Sequence, residues 1–352
     1  MTSPYLIYGA NGYTGELIAR EAVRRGQRPV LAGRNAEAVP ALAAELRLEH
    51  RVFALEDAPA VDEALRGMRA VLHCAGPFTR TFRPMADACL RAKAHYLDVT
   101  GEVEVFEGLA ARDAEAHGAG VMLLPGVGFD VVPSDCLAAH LNRRLPRATR
   151  LVLAFHSVGG LSRGTATTMI ENLHRGGLVR RNGVLTPVPA AWRTRKVDFG
   201  RGPRTVVSIP WGDVSTAYHS TGIPNIEVYT TATWPLLLAM KASRLFGPLL
   251  ASSVVQAFLK KRVRSGAPGP TAEQRARGRT VFWGEVTDEA GGRAVSRLYG
   301  PEGYTFTMLS ALAAVERVLS ASAPPGFQTP AKAYGPDFVL GGVIEGVKRE
   351  DL

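Results

Sequence analysis

Three glycines at three-residue intervals, Gly9, Gly12 and Gly15, sit in the run Gly9-Ala10-Asn11-Gly12-Tyr13-Thr14-Gly15. The run falls between a strand-like segment (5–8) and a helix-like one (13–25). In such a place the first glycine makes the tight turn, the second lets the backbone approach a pyrophosphate, and the third lets helix and strand pack closely. The helix start then offers N–H groups and the positive end of its dipole to phosphate. The next strand ends Ala32-Gly33-Arg34-Asn35, with no carboxylate for a ribose 2′-hydroxyl. Arg34 instead suits a 2′-phosphate through charge-assisted hydrogen bonds. The chemistry implied is NADP(H) binding, and with it oxidoreduction.

Further polar and small residues fall where later strands should end. Ala75, Gly76 and Pro77 follow a fourth strand, Gly101 and Glu102 a fifth, and Phe129 and Asp130 a sixth. Open α/β sheets bind ligands at that edge. The expected cofactor contacts are therefore Gly9, Asn11, Gly12, Tyr13, Thr14, Gly15, Arg34, Ala75, Gly76, Pro77, Gly101 and Phe129. Reduction also needs a proton donor, for which Tyr13, Glu102 and Asp130 are the candidates. For either carboxylate, a helix cap or loop hydrogen bond is the more ordinary use. His73 reads as a core histidine on a buried strand. Ser134 is placed to cap the helix after the sixth strand.

Other chemistries lack their residues. None of the nine tyrosines has a lysine four positions on, as tyrosine-activated alcohol chemistry requires. There is no HExxH or similar metal-ligating cluster and no GxSxG elbow, so no metal site and no hydrolase is expected.

Those residues need a frame. Strand-like runs at 5–8, 29–32, 51–55, 70–75, 95–99 and 121–124 alternate with helical spacing at 13–25, 38–46, 60–65, 85–94 and 105–117. This rhythm predicts a Rossmann fold, a doubly wound parallel sheet of order 3-2-1-4-5-6. Beyond residue 135 it gives way to strands at 150–156, 205–209, 226–231 and 281–287 among Gly- and Pro-containing segments, with a helix at 301–319. That second part reads as α+β with a mixed or antiparallel sheet. The domains expected are 1–132 for NADP and 133–324 for substrate.

The 352 residues suffice for two cores, and the +10 net charge is uneven. Residues 1–140 carry 14 Lys/Arg against 18 Asp/Glu, whereas 141–230 carry 13 against 4 and 231–352 carry 15 against 10. A basic second part suits an anionic substrate, an acidic carrier protein or an anionic membrane surface, and equally an ordinary solvated arginine-rich face, while no nucleic-acid-binding signature accompanies the charge. Cys74, Cys89 and Cys136 are odd in number and lack CxxC spacing, which fits a reducing compartment. With no signal-like opening segment, a cytoplasmic location is expected. The run from Trp234 to Arg264 is apolar but broken by Lys241, Arg244 and Gly247-Pro248, with Lys260, Lys261, Arg262 and Arg264 at its end. It is too interrupted to span a bilayer and reads as two helices, in a core or dimer interface or at a membrane surface.

Several blocks together carry a resemblance: Gly9–Gly15, Ala32-Gly-Arg34, Cys74-Ala-Gly-Pro-Phe78, Tyr96-Leu-Asp-Val-Thr-Gly-Glu102 and 125–135, with Pro210-Trp-Gly-Asp213, Gly303-Tyr-Thr-Phe306 and Gly335-Pro-Asp-Phe338 later. They are similar to the saccharopine dehydrogenase-like oxidoreductases, nearest the trans-acting enoyl reductase branch. The resemblance implies a Rossmann domain followed by a saccharopine-reductase-like α+β domain, with 325–352 packing back on the first, and a homodimer through 133–324, which thus serves substrate and dimerisation. It also implies reduction of an enoyl C=C bond or, alternatively, of an imine C=N bond. A non-catalytic NADP(H)-binding redox sensor or lipid-surface adaptor is the reading from another class.

Overall fold

A computed structural model describes residues 5–160, 162–172, 176–244, 252–320 and 323–352. The chain forms two compact units, Met1–Val132 with Tyr304–Tyr334, and Pro133–Gly303 with Gly335–Leu352. The helix at 303–319, expected in the second domain, thus counts with the first unit from Tyr304 onward. Residues 335–352, expected against the first, count with the second.

The first unit runs β1 (Tyr5–Tyr8), α1 (Tyr13–Arg24), β2 (Val30–Gly33), α2 (Ala38–Leu46), β3 (His50–Val52), α3 (Ala58–Leu65), β4 (Ala70–His73) and α4 (Phe78–Ala92). It continues with β5 (His95–Asp98), α5 (Val103–Ala110), α6 (Asp113–Ala119) and β6 (Met122–Leu124). The second unit adds α7 (Val132–Arg144), β7 (Arg150–Val158), α8 (Arg163–Asn172), β8 (Gly177–Arg181), β9 (Val184–Val188), β10 (Thr194–Asp198) and β11 (Pro203–Ser208). After these come α9 (Asp213–Thr221), β12 (Asn225–Thr231), α10 (Trp234–Ala242), α11 (Ser253–Arg264), α12 (Ala272–Arg277), β13 (Arg279–Thr287) and β14 (Arg293–Pro301). The chain then returns through α13 (Gly303–Leu319), β15 (Gly326–Phe327) and α14 (Pro330–Tyr334), and ends in β16 (Lys348–Asp351).

The first unit's sheet is wholly parallel, in the order β15-β6-β5-β4-β1-β2-β3. This is the expected 3-2-1-4-5-6 order with β15 added beside β6. β1, β2, β4 and β6 are buried at every position, as strands covered by helices on both faces must be. Their apolar runs therefore do not alternate. β1 lies between β2 and β4, so the chain reverses direction of build beside β1, where such sheets bind ligands.

The second unit's sheet is mixed, ordered β10-β11-β12-β7-β13-β14-β16, with β8 on β12 and β9 on β8. β12 and β7 pair in parallel, and β7, β13 and β14 form a long antiparallel stretch. Several strands here were not evident in the sequence: β8, β9, β10 and β16 are only four or five residues long, β10 and β16 are mostly polar, and β9 carries a proline.

Three boundaries differ instructively. α4 starts at Phe78, seven residues before the expected 85, and contains Pro84. The helix expected over 105–117 is two, α5 and α6. α7 begins at Val132, so Ser134 lies inside its first turn rather than ahead of it. The expected break at Gly247-Pro248 lies outside the described residues.

Candidate functional site

The carboxyl ends of β1, β2 and β4 meet around the glycine turn. Gly9 N–H donates to Ala32 O at 2.8 Å, and Cys74 N–H donates to Tyr8 O at 2.8 Å. Gly9 has φ of +81°, a conformation costly for other residues, and a Cβ on it would lie 2.9 Å from the Ala75 Cβ. Gly15 is a close approach: its Cβ would come 2.3 Å from Gly9 O. The turn is thus pressed onto α1 and onto the 74–76 segment at once. Gly12 is the N-cap of α1, in extended conformation, and as a glycine it brings no side chain to the helix end. A helix N-terminus that opens on glycine at the sheet's switch point suits an anion.

Asn11 lies beside the end of β2, its Oδ1 3.1 Å from where a Gly33 Cβ would be. Arg34 follows, exposed, with no hydrogen-bonding partner among the described residues. The neighbouring Asn35 is differently occupied: its Oδ1 accepts from the N–H groups of Glu37 and Ala38 at 3.0 and 2.9 Å, starting α2. One residue of the pair organises the helix and leaves the guanidinium available. Phosphate loop, glycine at the helix start and exposed arginine together fit a dinucleotide with a 2′-phosphate.

A second cluster forms at the ends of β5 and β6. Asp98 is fully buried; its Oδ1 accepts from Thr100 N–H at 3.0 Å and Gly126 N–H at 2.9 Å, and its Oδ2 accepts from Tyr96 Oη at 2.6 Å. Burial pushes its carboxyl up to about 7 against the opposing effect of these bonds. Asp98 thereby ties the 98–102 turn to the 125–130 loop. Thr100 Oγ1 accepts from Glu102 N–H at 3.0 Å, which aims Glu102 across at α4. The Glu102 carboxylate accepts from Phe78 N–H and Thr79 N–H, both at 2.9 Å. It caps the helix and complements its dipole.

Asp130 is the contrast. It is half-buried, beside Gly101, and no hydrogen bond reaches its carboxyl among the described residues. Burial, and secondarily the charge of Glu102, push it up to about 7. Its loop is braced by α13: Phe129 N–H donates to Thr307 Oγ1 at 3.0 Å, and Ser310 Oγ donates to Val127 O at 2.7 Å. Phe129 also packs edge-on to Phe306, with ring centres 6.3 Å apart. Tyr13 at the head of α1 meets Tyr304 edge-on, centres 5.0 Å apart.

The structure thus gathers the expected residues into two groups. Gly9, Asn11, Gly12, Tyr13, Thr14, Gly15, Arg34, Ala75, Gly76 and Pro77 lie at the carboxyl ends of β1, β2 and β4 or on the helices they lead into. Gly101, Glu102, Phe129 and Asp130 follow β5 and β6. Tyr96, Asp98, Thr307 and Ser310 were not among the candidates, although they position the second group. An acid ending an otherwise apolar strand, Tyr96-Leu-Asp98, was the available signal. His73 is a core residue: Nε2 lies 2.9 Å from Thr81 Oγ1, whose own hydrogen is directed to Ala75 O at 2.8 Å or Pro77 O at 3.2 Å. His73 therefore donates from Nε2, and burial holds it neutral, down to about 3. Among the described residues, no group of three or more His, Cys, Asp or Glu is arranged to hold a metal ion.

Comparison with known proteins addresses the first unit directly. The family model for the saccharopine dehydrogenase NADP binding domain matches residues 5–124, which run from β1 to the end of β6. The turn, the start of α1 and Arg34 all lie within the matched residues. A trans-acting enoyl reductase of Mycobacterium leprae is 34% identical over 150 residues, covering 40% of this chain and 35% of that protein. One from Mycobacterium ulcerans is 30% identical over 184 residues, covering 47% of this chain and 43% of the relative. The chain thus spans less than half the length of these relatives. Saccharopine dehydrogenase (L-Glu forming) from Saccharomyces cerevisiae shares the fold, with a TM-score of 0.67, 13% identity and 99% coverage of both chains.

Proposed function

We propose that this chain is an NADPH-dependent reductase acting on the C=C bond of an acyl or carrier-bound enoyl substrate. One observation carries the reading beyond cofactor binding: Asp130, a carboxyl raised to about 7 with no hydrogen-bonding partner, in the loop that follows β6 of an NADP-binding domain. Perturbed, unengaged acids at a ligand-binding edge are functional candidates, and a general acid works best with a pKa near the working pH. When bound, NADPH supplies hydride equivalents from C4 of its nicotinamide. Arg34 holds the 2′-phosphate, and the start of α1 holds the pyrophosphate. Protonated Asp130 delivers the proton that completes the saturated bond and is recharged from solvent. The enoyl group is thereby reduced as NADPH is oxidised to NADP⁺.

The names of the mycobacterial relatives support an enoyl substrate over an imine. The basic balance of residues 141–230, 13 Lys/Arg against 4 Asp/Glu, supports an anionic or carrier-bound one. The test is NADPH consumption by the purified chain with a panel of enoyl thioesters and cyclic imines, with product mass read alongside. Saturated thioester supports the proposal, and reduction of imines alone transfers it to C=N bonds. If neither class is reduced while NADPH binds tightly, the non-catalytic reading takes its place.

A further inference from the structure

From residue 234 to residue 264 the sequence contains six Lys/Arg and no Asp or Glu. Within it, α11 has two unlike faces. Lys260 is held inward, its Nζ 2.6 Å from Glu171 Oε1 on α8, and Val255, Leu259 and Val263 are partly buried on that side. The opposite stripe is Val254, Ala257, Phe258, Lys261 and Arg262, all exposed, with Val254 at 75% and Phe258 at 65%. A helix on a soluble domain ordinarily turns polar residues outward. Here the first two outward turns are apolar and the third is cationic. α10 repeats the pattern. Leu237 packs inward with Ala191 and Val207, while Trp234 at 69% and Leu238 at 49% face out, followed by exposed Lys241.

We propose that these outward stripes of α10 and α11 dock the protein on an anionic lipid surface. Aromatic and branched side chains ahead of lysine and arginine, on short helices, are the composition that lies in a headgroup layer. The absence of any acid matches a negatively charged leaflet. A second copy of the chain is a poorer occupant, because a two-fold contact would set these cations against their own kind. No helix among the described residues is long and apolar enough to cross a membrane, so the contact is peripheral. The inference is independent of which bond the protein reduces.

Flotation of the full chain with phosphatidylcholine vesicles, with and without phosphatidylglycerol, tests it. Phe258→Ser, and Lys261→Glu with Arg262→Glu, alter exposed positions only, and thermal melts confirm that each variant is folded. Binding is expected only to the phosphatidylglycerol vesicles. Each variant should raise the lipid concentration for half-binding by at least about tenfold, as should high salt. A Trp234→Phe comparison should show that the blue shift of fluorescence on lipid comes from Trp234. No association with anionic vesicles, or equal binding to uncharged ones, overturns the proposal. Concentration-dependent dimerisation that Phe258→Ser abolishes would also overturn it and assign the face to a second copy.

Discussion

A Cβ built on Gly101 would lie 2.7 Å from Oδ2 of Asp130 and 3.0 Å from its Cβ. The glycine that ends the 98–101 turn therefore leaves the space in which the Asp130 carboxyl stands. Gly101→Ala should displace that carboxyl without touching the phosphate turn. The expected outcome is a kcat at least about tenfold lower with the Kd for NADPH little changed. Equal loss of both would make Gly101 a cofactor contact instead.

Asp130 itself gives a signed pH dependence. Its carboxyl is raised to about 7, so the protonated form is present below that pH and lost above it. The rate should fall as pH rises through neutrality with NADPH saturating. Asp130→Asn should lower kcat by roughly 10²- to 10⁴-fold and remove that falling limb. If the limb persists in the variant, another group is the acid.

Arg34 should discriminate between cofactors. A charge-assisted bond of about 1.5–3 kcal/mol corresponds to a loss of roughly 10- to 150-fold. Arg34→Ala is expected to weaken NADPH by this factor and to leave NADH nearly unaffected. Fluorescence titration of both cofactors measures it, and parallel weakening of the two would remove the 2′-phosphate assignment.

Glu102 should behave as a structural cap. Its carboxylate accepts from Phe78 and Thr79 N–H, so Glu102→Ala should cost about 0.5–2 kcal/mol in denaturant unfolding. The turnover of the folded variant should stay within about tenfold of wild type. A much larger fall in kcat at unchanged stability would return Glu102 to the list of proton donors.

That cap also shows where sequence reading reaches its limit. The glycine turn, β1, α1 and Arg34 were legible because phosphate binding is local: every residue needed lies within thirty positions of the next. The 3-2-1-4-5-6 order was legible because alternating apolar strands and amphipathic helices leave few ways to close a parallel sheet. The start of α4 was not, since its cap comes from Glu102, 24 residues beyond Phe78. The bracing of the 125–130 loop by Thr307 and Ser310 spans 178 and 183 residues, and no local pattern marks it. Asp130 and Glu102 were equal candidates in the sequence. Only their different hydrogen bonding separates an engaged carboxylate from an unengaged acid.

The most direct test of the account is a single turnover with C4-deuterated NADPH and an enoyl thioester, run with wild type and Asp130→Asn while cofactor binding is followed by fluorescence. The account predicts a saturated product carrying one cofactor-derived deuterium in the wild type. It predicts a strongly slowed turnover in the variant, with NADPH still tightly bound. Unreduced thioester from cofactor-loaded wild type, or equal rates in the two proteins, would contradict it.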